Sequence, residues 1–312
     1  MPTADDSEEP LSPDEAFSAL GNETRLAVLR ALGKTDGPCS FSSLYDAVDV
    51  ADSGQFNYYL DKLVGHFVRK TDDGYELRQP GRRIVEAVLS GAVTETPTLE
   101  RTPVDQQCEY CGSPVEVRWQ EGSVELFCTE CPGRFRYRRS GEADEGYLGR
   151  LTLPPAGLRD RDPDEIVRTA WTWTQLEIMA FASGICPRCS ATVGYDLSVC
   201  ETHDASDDLC DHCDRHHAMT VSVHCTNCIY RSSGAALLGV LSDIEVLGFL
   251  TDHDLNPVVP ADIHRVNQAH EDYEEEILST GPLRARFTID VDGDRLAVTV
   301  DEELQVVETT RE

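Results

Sequence analysis

Eleven of the twelve cysteines in this chain of 312 residues belong to short-spaced pairs. Five are C-x-x-C pairs: Cys108/Cys111, Cys128/Cys131, Cys186/Cys189, Cys210/Cys213 and Cys225/Cys228. A sixth, Cys200/His203, puts imidazole in place of the second thiol. Two such knuckles complete one tetrahedral ion, so six knuckles supply three sites with no ligand left over. Full occupancy leaves no open position for substrate, which assigns the ions to structure and not to chemistry. Cys39, in "GPCSFSSL", stands outside the scheme and reads as a small buried residue.

This reading needs a compartment that keeps thiols reduced. The N-terminus, MPTADDSEEP, is acidic where a secretory signal would be basic and then apolar. No apolar run approaches a membrane span. The expected location is the cytoplasm, free of any membrane, where disulfides are rare and paired cysteines bind metal.

Cys108/Cys111 and Cys128/Cys131 are joined by a predicted hairpin. Val115, Val117 and Trp119 alternate, Glu121-Gly122-Ser123 turns, and Val124 and Leu126 return. That is a zinc-ribbon layout; iron is the second choice, because four thiolates accept both metals. In the next module, spacing alone permits Cys186/Cys189 to pair with Cys210/Cys213. The strands favour another solution. Val193, Tyr195, Leu197 and Val199 alternate before the insertion, and Met219, Val221 and Val223 alternate after it. Antiparallel pairing brings Cys186/Cys189 to Cys225/Cys228 at one end and Cys200/His203 to Cys210/Cys213 at the other. His212, His216, His217 and His224 are alternatives to His203, which is preferred for its knuckle spacing. Three structural Zn²⁺ ions are expected.

The net charge is −30, and Lys34, Lys62 and Lys70 are the only lysines. With 40% hydrophobic residues, disorder is excluded in favour of a surface adapted to molar salt, where screening lengths fall to about 3 Å. The charge is uneven. Residues 11–90 hold nine Lys/Arg against twelve Asp/Glu, net −3, and residues 1–10 hold four acids, which leaves −23 for residues 91–312. A near-neutral segment in an acidic chain is one suited to meet a polyanion.

That segment has a definite order. Ser12-Pro13-Asp14-Glu15 starts a helix, Asn22 restarts one that ends at Gly33, and Ser40 precedes a third. Ser53 opens another, with Phe56, Leu60, Leu63 and Phe67 on one face. Val68–Thr71 and Tyr75–Arg78 flank an Asp-Gly turn, and a last helix runs from about Gly81 to Ser90. This is a winged helix-turn-helix. Its "LGNETRLAVL", "YYLDKLV" and "DGYEL" segments resemble ArsR-type transcriptional regulators of archaea and bacteria over residues 12–91.

The resemblance implies a recognition helix over 53–64, lying in the major groove, and a homodimer formed through the first and last helices. Outward residues Ser53, Gln55, Asn57, Tyr58 and Lys62 would face double-stranded DNA, with Arg69, Lys70, Arg78, Arg82 and Arg83 on phosphates. Metal-sensing members carry a cysteine pair before this helix; here Cys39 is single, so such a switch is not expected. The whole layout is similar to haloarchaeal regulators that join an ArsR-type domain to zinc ribbons.

The expected fold class is α+β: an N-terminal winged helix-turn-helix, zinc-ribbon modules, and a mixed α/β region ending in a β-hairpin. The expected divisions are 11–92 (DNA-binding), 93–106 (linker), 107–150 (first ribbon), 151–183 (connecting helix), 184–234 (nested two-site ribbon) and 235–312. Asp162-Pro163-Asp164-Glu165 caps a helix to about Ala182, with Val167, Trp171, Ile178 and Phe181 packed; an aromatic platform of Trp171 and Trp173 is the less favoured alternative. Ser242-Asp243-Ile244-Glu245 is a capping box. Residues 261–278 read as an acidic helix. Phe287–Val291 and Leu296–Val300 form the terminal hairpin, and Leu304–Val307 is a candidate third strand.

The expected function is a non-enzymatic, promoter-specific regulator, its zinc half sensing a signal or contacting a partner. One rival is a general factor resembling archaeal transcription factor E, which contacts RNA polymerase. Another is an enzyme using the Cys200/His203 metal, with Glu201, Asp204 or Asp207 as base.

Overall fold

The computed structural model describes residues 11–133, 145–204 and 209–312. The chain is mixed α+β and divides into two units, residues 1–95 and 96–312. Among the described residues, no helix is long and apolar enough to cross a membrane.

The first unit runs α1 (Pro13–Leu20), α2 (Glu23–Leu32), α3 (Phe41–Ala47), α4 (Ser53–Asp61), β1 (Val68–Thr71), β2 (Gly74–Leu77) and α5 (Gln79–Leu89). Its starts are written in the sequence. Ser12 and Glu15 form a capping box, and Asn22 and Ser40 cap α2 and α3. At α4 the cap is Asp52, whose carboxylate accepts from the Gln55 N–H, and the expected cap Ser53 is the first helical residue. The helix ends at Asp61, three residues before the expected end, because Leu63 and Val64 turn back to β1. Phe56, Leu60, Leu63 and Phe67 are all buried, against Val28, Leu29 and Leu44.

The β1–β2 hairpin gains a third rung where Cys39 and Tyr75 exchange backbone hydrogen bonds of 2.8 and 2.9 Å. The sheet passes so close that only glycine fits at Gly74. Its φ is +139°, and a Cβ there would lie 2.4 Å from the Cys39 carbonyl oxygen. Cys39 itself is half-buried against this core.

The second unit opens with an antiparallel sheet of β3 (Leu99–Gln107), β4 (Pro114–Gln120), β5 (Ser123–Cys128) and β6 (Tyr147–Thr152), in that order. The stretch 93–106, expected as a linker, is therefore mostly strand; the unit boundary falls in its first residues. Pro103 is tolerated because β3 is an edge strand. Next come α6 (Pro163–Ala182) and a second sheet of β7 (Val193–Val199), β8 (Met219–Cys225) and β9 (Arg231–Ala235). Then follow α7 (Ile244–Asp252) and α8 (Ile263–Glu271). A four-stranded meander, β10 (Tyr273–Thr280), β11 (Leu283–Val291), β12 (Asp294–Val300) and β13 (Val306–Arg311), closes the chain.

Helix α6 has the expected Asp162–Glu165 capping box and buries Val167, Trp171, Ile178 and Phe181. Trp171 donates its indole N–H to the Pro257 carbonyl at 2.9 Å, while Trp173 is exposed, so the two form no platform. Asp243, and not Ser242, caps α7, through the Glu245 N–H.

The expected acidic helix over 261–278 is a correction. Only Ile263–Glu271 is helical, and β10 takes the rest. Tyr273, Glu275 and Ile277 turn inward, while Glu276 pairs outward with Arg286 of the adjacent β11 and Glu274 with Arg295 of β12, one strand further. Pairing with β11 thus overrides the helix preference of the glutamates. The expected terminal hairpin is β11–β12, the centre of four strands and not the end of the chain. Trp119, Phe181, Met219, Leu237, Phe249 and Phe287, from different parts of this unit, join one apolar cluster, while Cys108, Val115, Cys128 and Leu148 form a smaller cluster of their own.

Candidate metal centres and nucleic-acid interface

Each knuckle is a tight turn at the end of a strand, and sheet register decides which knuckles meet. Val115 lies opposite Cys128 across β4–β5, so Cys128/Cys131 returns beside Cys108/Cys111. In the second sheet Val193 opposes Cys225 and Val199 opposes Met219. One end of that ladder holds Cys186, Cys189, Cys225 and Cys228, and the other holds Cys200, His203, Cys210 and Cys213. In each of the three groups the ligand atoms lie within 4.8 Å of one another. The nested pairing expected from strand alternation is the pairing found.

The distances suit tetrahedral ions. A zinc ion about 2.3 Å from each sulfur spans a tetrahedron with edges of about 3.8 Å. The sulfurs of Cys108 and Cys131 are 3.6 Å apart, and those of Cys111 and Cys128 are 3.4 Å apart. Cys186–Cys228 is 3.7 Å and Cys189–Cys225 is 3.5 Å. His203 Nδ1 is 3.4 Å from Cys213 Sγ, which puts His203 in the third group as its fourth potential donor. Of the alternatives, His216 and His217 stack on tyrosines and His224 pairs with Asp196.

Backbone amides in the turns point at sulfur. Cys128 accepts from Glu130 and Cys131, Cys225 from Asn227 and Cys228, and Cys210 from Asp204 and His212. The Asp204 amide is the main reason that the Cys210 thiol is drawn down to about 6, while burial pushes Cys213 up to about 12. Thiolates held by amides are the donor set that zinc takes. The second site is tied to α6 by a Glu177–Arg188 ion pair of 2.5 Å. Of the acids considered as bases, Glu201 and Asp204 are exposed beside the third site, and Asp207 lies outside the described residues.

The outer face of α4 carries Ser53, Gln55, Asn57, Tyr58 and Lys62, all exposed. Tyr59 braces the Gln55 amide at 3.3 Å, Asp61 accepts from Asn57 at 3.0 Å, and Lys62 lies over the Tyr58 ring. Arg69 pairs with Glu76 at 2.6 Å, Lys70 lies over Tyr75, and Arg83 pairs with Glu86 at 2.9 Å. Arg82 is exposed. Arg78 is half-buried, and its guanidinium donates to the Gly65 carbonyl in the turn before β1.

Residues 105–306 match the family model described as a domain of unknown function, DUF7351. This is more than half of the chain. The chain belongs to that family. The DUF7351 match contains all three ligand groups and most of both four-stranded sheets, leaving out the start of β3 and nearly all of β13, so the metal scheme lies within the family's own region. Residues 13–88, nearly the whole α1–α5 unit, match a second domain of unknown function, DUF7347. No curated protein and no solved structure matches the chain.

Proposed function

We propose that the protein is a DNA-binding transcriptional regulator. In this reading α1–α5 form a winged helix-turn-helix that recognises particular promoters, and the DUF7351 region is a zinc-stabilised platform for a signal or a partner protein. The observation that carries it is the polar, exposed face of α4, set on a three-helix core beside a tight hairpin. Gln55 and Asn57 have the amides that pair with adenine edges, and Tyr58 and Lys62 lie on the same face. The near-neutral charge of this segment supports contact with a polyanion.

Dimerisation is supported by α1, which has no buried residue, and by the exposed Phe17 and Leu89 on the first and last helices. A dimer would place two α4 helices on an inverted repeat. Each phosphate contact gives a salt slope of about −0.9, so at molar salt such a protein leans on base contacts and shape.

A second reading, a general factor that works through RNA polymerase, is favoured by the −23 net charge of residues 91–312. Selection of genomic DNA fragments by the purified protein separates the two. The regulator reading predicts enrichment of a few promoter fragments sharing an inverted repeat. Retention of all fragments alike, or of none, contradicts it.

A further inference from the structure

The first and third metal groups are in contact. Tyr110 sits inside the Cys108–Cys111 knuckle, and its ring stacks on His216 with centroids 4.2 Å apart and planes 15° apart. His216 follows the Cys210–Cys213 knuckle, and its carbonyl oxygen lies 3.1 Å from His203 Nε2. The other ring nitrogen of His203, Nδ1, faces Cys213.

A histidine that binds metal through one nitrogen donates the other N–H to a carbonyl or carboxylate, which fixes its tautomer and ring orientation. The His216 carbonyl is that acceptor, and it turns Nδ1 of His203 toward the three sulfurs. The ring of His216 is in turn confined by Tyr110. On the far side of the same loop, His217 stacks on Tyr273 at 3.9 Å, and its Nε2 meets the Glu271 carbonyl at 2.9 Å. Glu275 accepts from the Ala218 and Met219 amides. The loop is therefore clamped between β10 and the first metal knuckle. The second site takes its support elsewhere, from α6 through Glu177 and Arg188.

We propose that Tyr110 is a positioning residue for the third metal site, so that filling the first site strengthens metal binding at the third. Metal at Cys108/Cys111 closes the knuckle and holds Tyr110 in place; Tyr110 then holds His216, and the His216 carbonyl holds His203. Loss of such an outer partner weakens metal binding about 10–100-fold. Linkage is reciprocal, so filling the third site must favour the first by the same factor.

The test uses the full-length, zinc-loaded protein, a chelator challenge, and cysteine alkylation with peptide mapping to resolve each site. In Tyr110→Ala, Cys210 and Cys213 are expected to lose protection about 10–100-fold faster, with Cys225 and Cys228 unchanged. Tyr110→Phe, which keeps the stacked ring, restores the wild-type rate. Cobalt substitution adds a spectroscopic signature: the Cys200/His203/Cys210/Cys213 ligand-field bands shift in Tyr110→Ala and return in Tyr110→Phe.

Unchanged protection of Cys213 in Tyr110→Ala overturns the proposal, as does failure of Tyr110→Phe to rescue. If Tyr110→Ala does not fold, His216→Ala decides, since it leaves both ligand sets intact. It must weaken zinc affinity at Cys108/Cys111/Cys128/Cys131 in equilibrium competition with the chelator, and an unchanged affinity there overturns the coupling. The inference rests on the three-ion reading. Fewer than three ions in the wild type would fail that reading, whereas three ions released independently would fail the coupling alone.

Discussion

The carboxylate of Glu275 on β10 accepts hydrogen bonds from the backbone N–H of Met219, at 3.0 and 3.2 Å, where β8 begins. A third bond of 2.7 Å comes from Ala218. Burial raises the pKa of this carboxyl, and the two amides oppose that shift. One side chain thus joins the closing meander to the sheet that carries two of the candidate metal-ligand groups. Glu275→Ala leaves two amides without their acceptor, and such groups cost about 1–3 kcal/mol each when buried. Urea unfolding is expected to show a loss of about 2–6 kcal/mol, with Glu275→Gln recovering part of it.

Gly74 reports on the first unit. A methyl group there meets the Cys39 carbonyl at 2.4 Å, on a backbone with φ of +139°. Gly74→Ala is expected to destabilise that unit by more than about 2 kcal/mol. Hydrogen exchange should show the loss in α2, α4 and β1–β2. Unchanged protection would mean that the Cys39–Tyr75 rung is not formed.

Metal removal should act on one unit. The three ligand groups all lie between Cys108 and Cys228, inside the unit of residues 96–312. Metal analysis is expected to return three zinc ions per chain. Chelation should abolish exchange protection in β3–β9 while α2 and α4 keep theirs, because structural zinc supplies folding energy where its ligands are. Simultaneous loss in both units would contradict this division.

His253 gives a pH dependence with a definite sign. Its Nδ1 lies 2.8 Å from the Phe249 carbonyl and its Nε2 lies 3.1 Å from Asp294, an arrangement in which both nitrogens donate only when protonated. The Phe249 carbonyl, then Asp294 and Asp292, raise its pKa above the ordinary 6.5, against a smaller opposing effect of burial. The stabilisation is fully present below 6.5 and fades as pH rises through the raised value. The stability difference between wild type and His253→Ala should therefore shrink on going from acid to alkaline buffer. A gap that grows with pH would contradict the protonated pairing.

Metal pairing was legible because it follows from strand alternation. Val193 to Val199 and Met219 to Val223 each state which face is inward, and antiparallel pairing then leaves one way for the knuckles to meet. Caps such as Ser12 and Asp162 were equally plain, because each has its Glu three residues on. Elements decided by distant partners were not legible. Glu274–Glu276 have a helical composition, and only β11 and the Arg286 and Arg295 side chains make them a strand. Strand β3 hides behind Pro103, which an edge position permits. The Tyr110–His216 stack joins residues more than a hundred positions apart, and no local pattern announces it.

The most direct test of the functional reading is chromatin immunoprecipitation with sequencing, in the protein's own host. The wild-type chain is compared with a variant carrying Gln55→Ala, Asn57→Ala and Tyr58→Ala at equal cellular level. The three side chains are exposed, so the variant is expected to fold. The regulator reading predicts sharp wild-type peaks at a few promoters sharing an inverted repeat, and their loss in the variant. An unchanged map in the variant, or wild-type occupancy at nearly all active promoters, would contradict it.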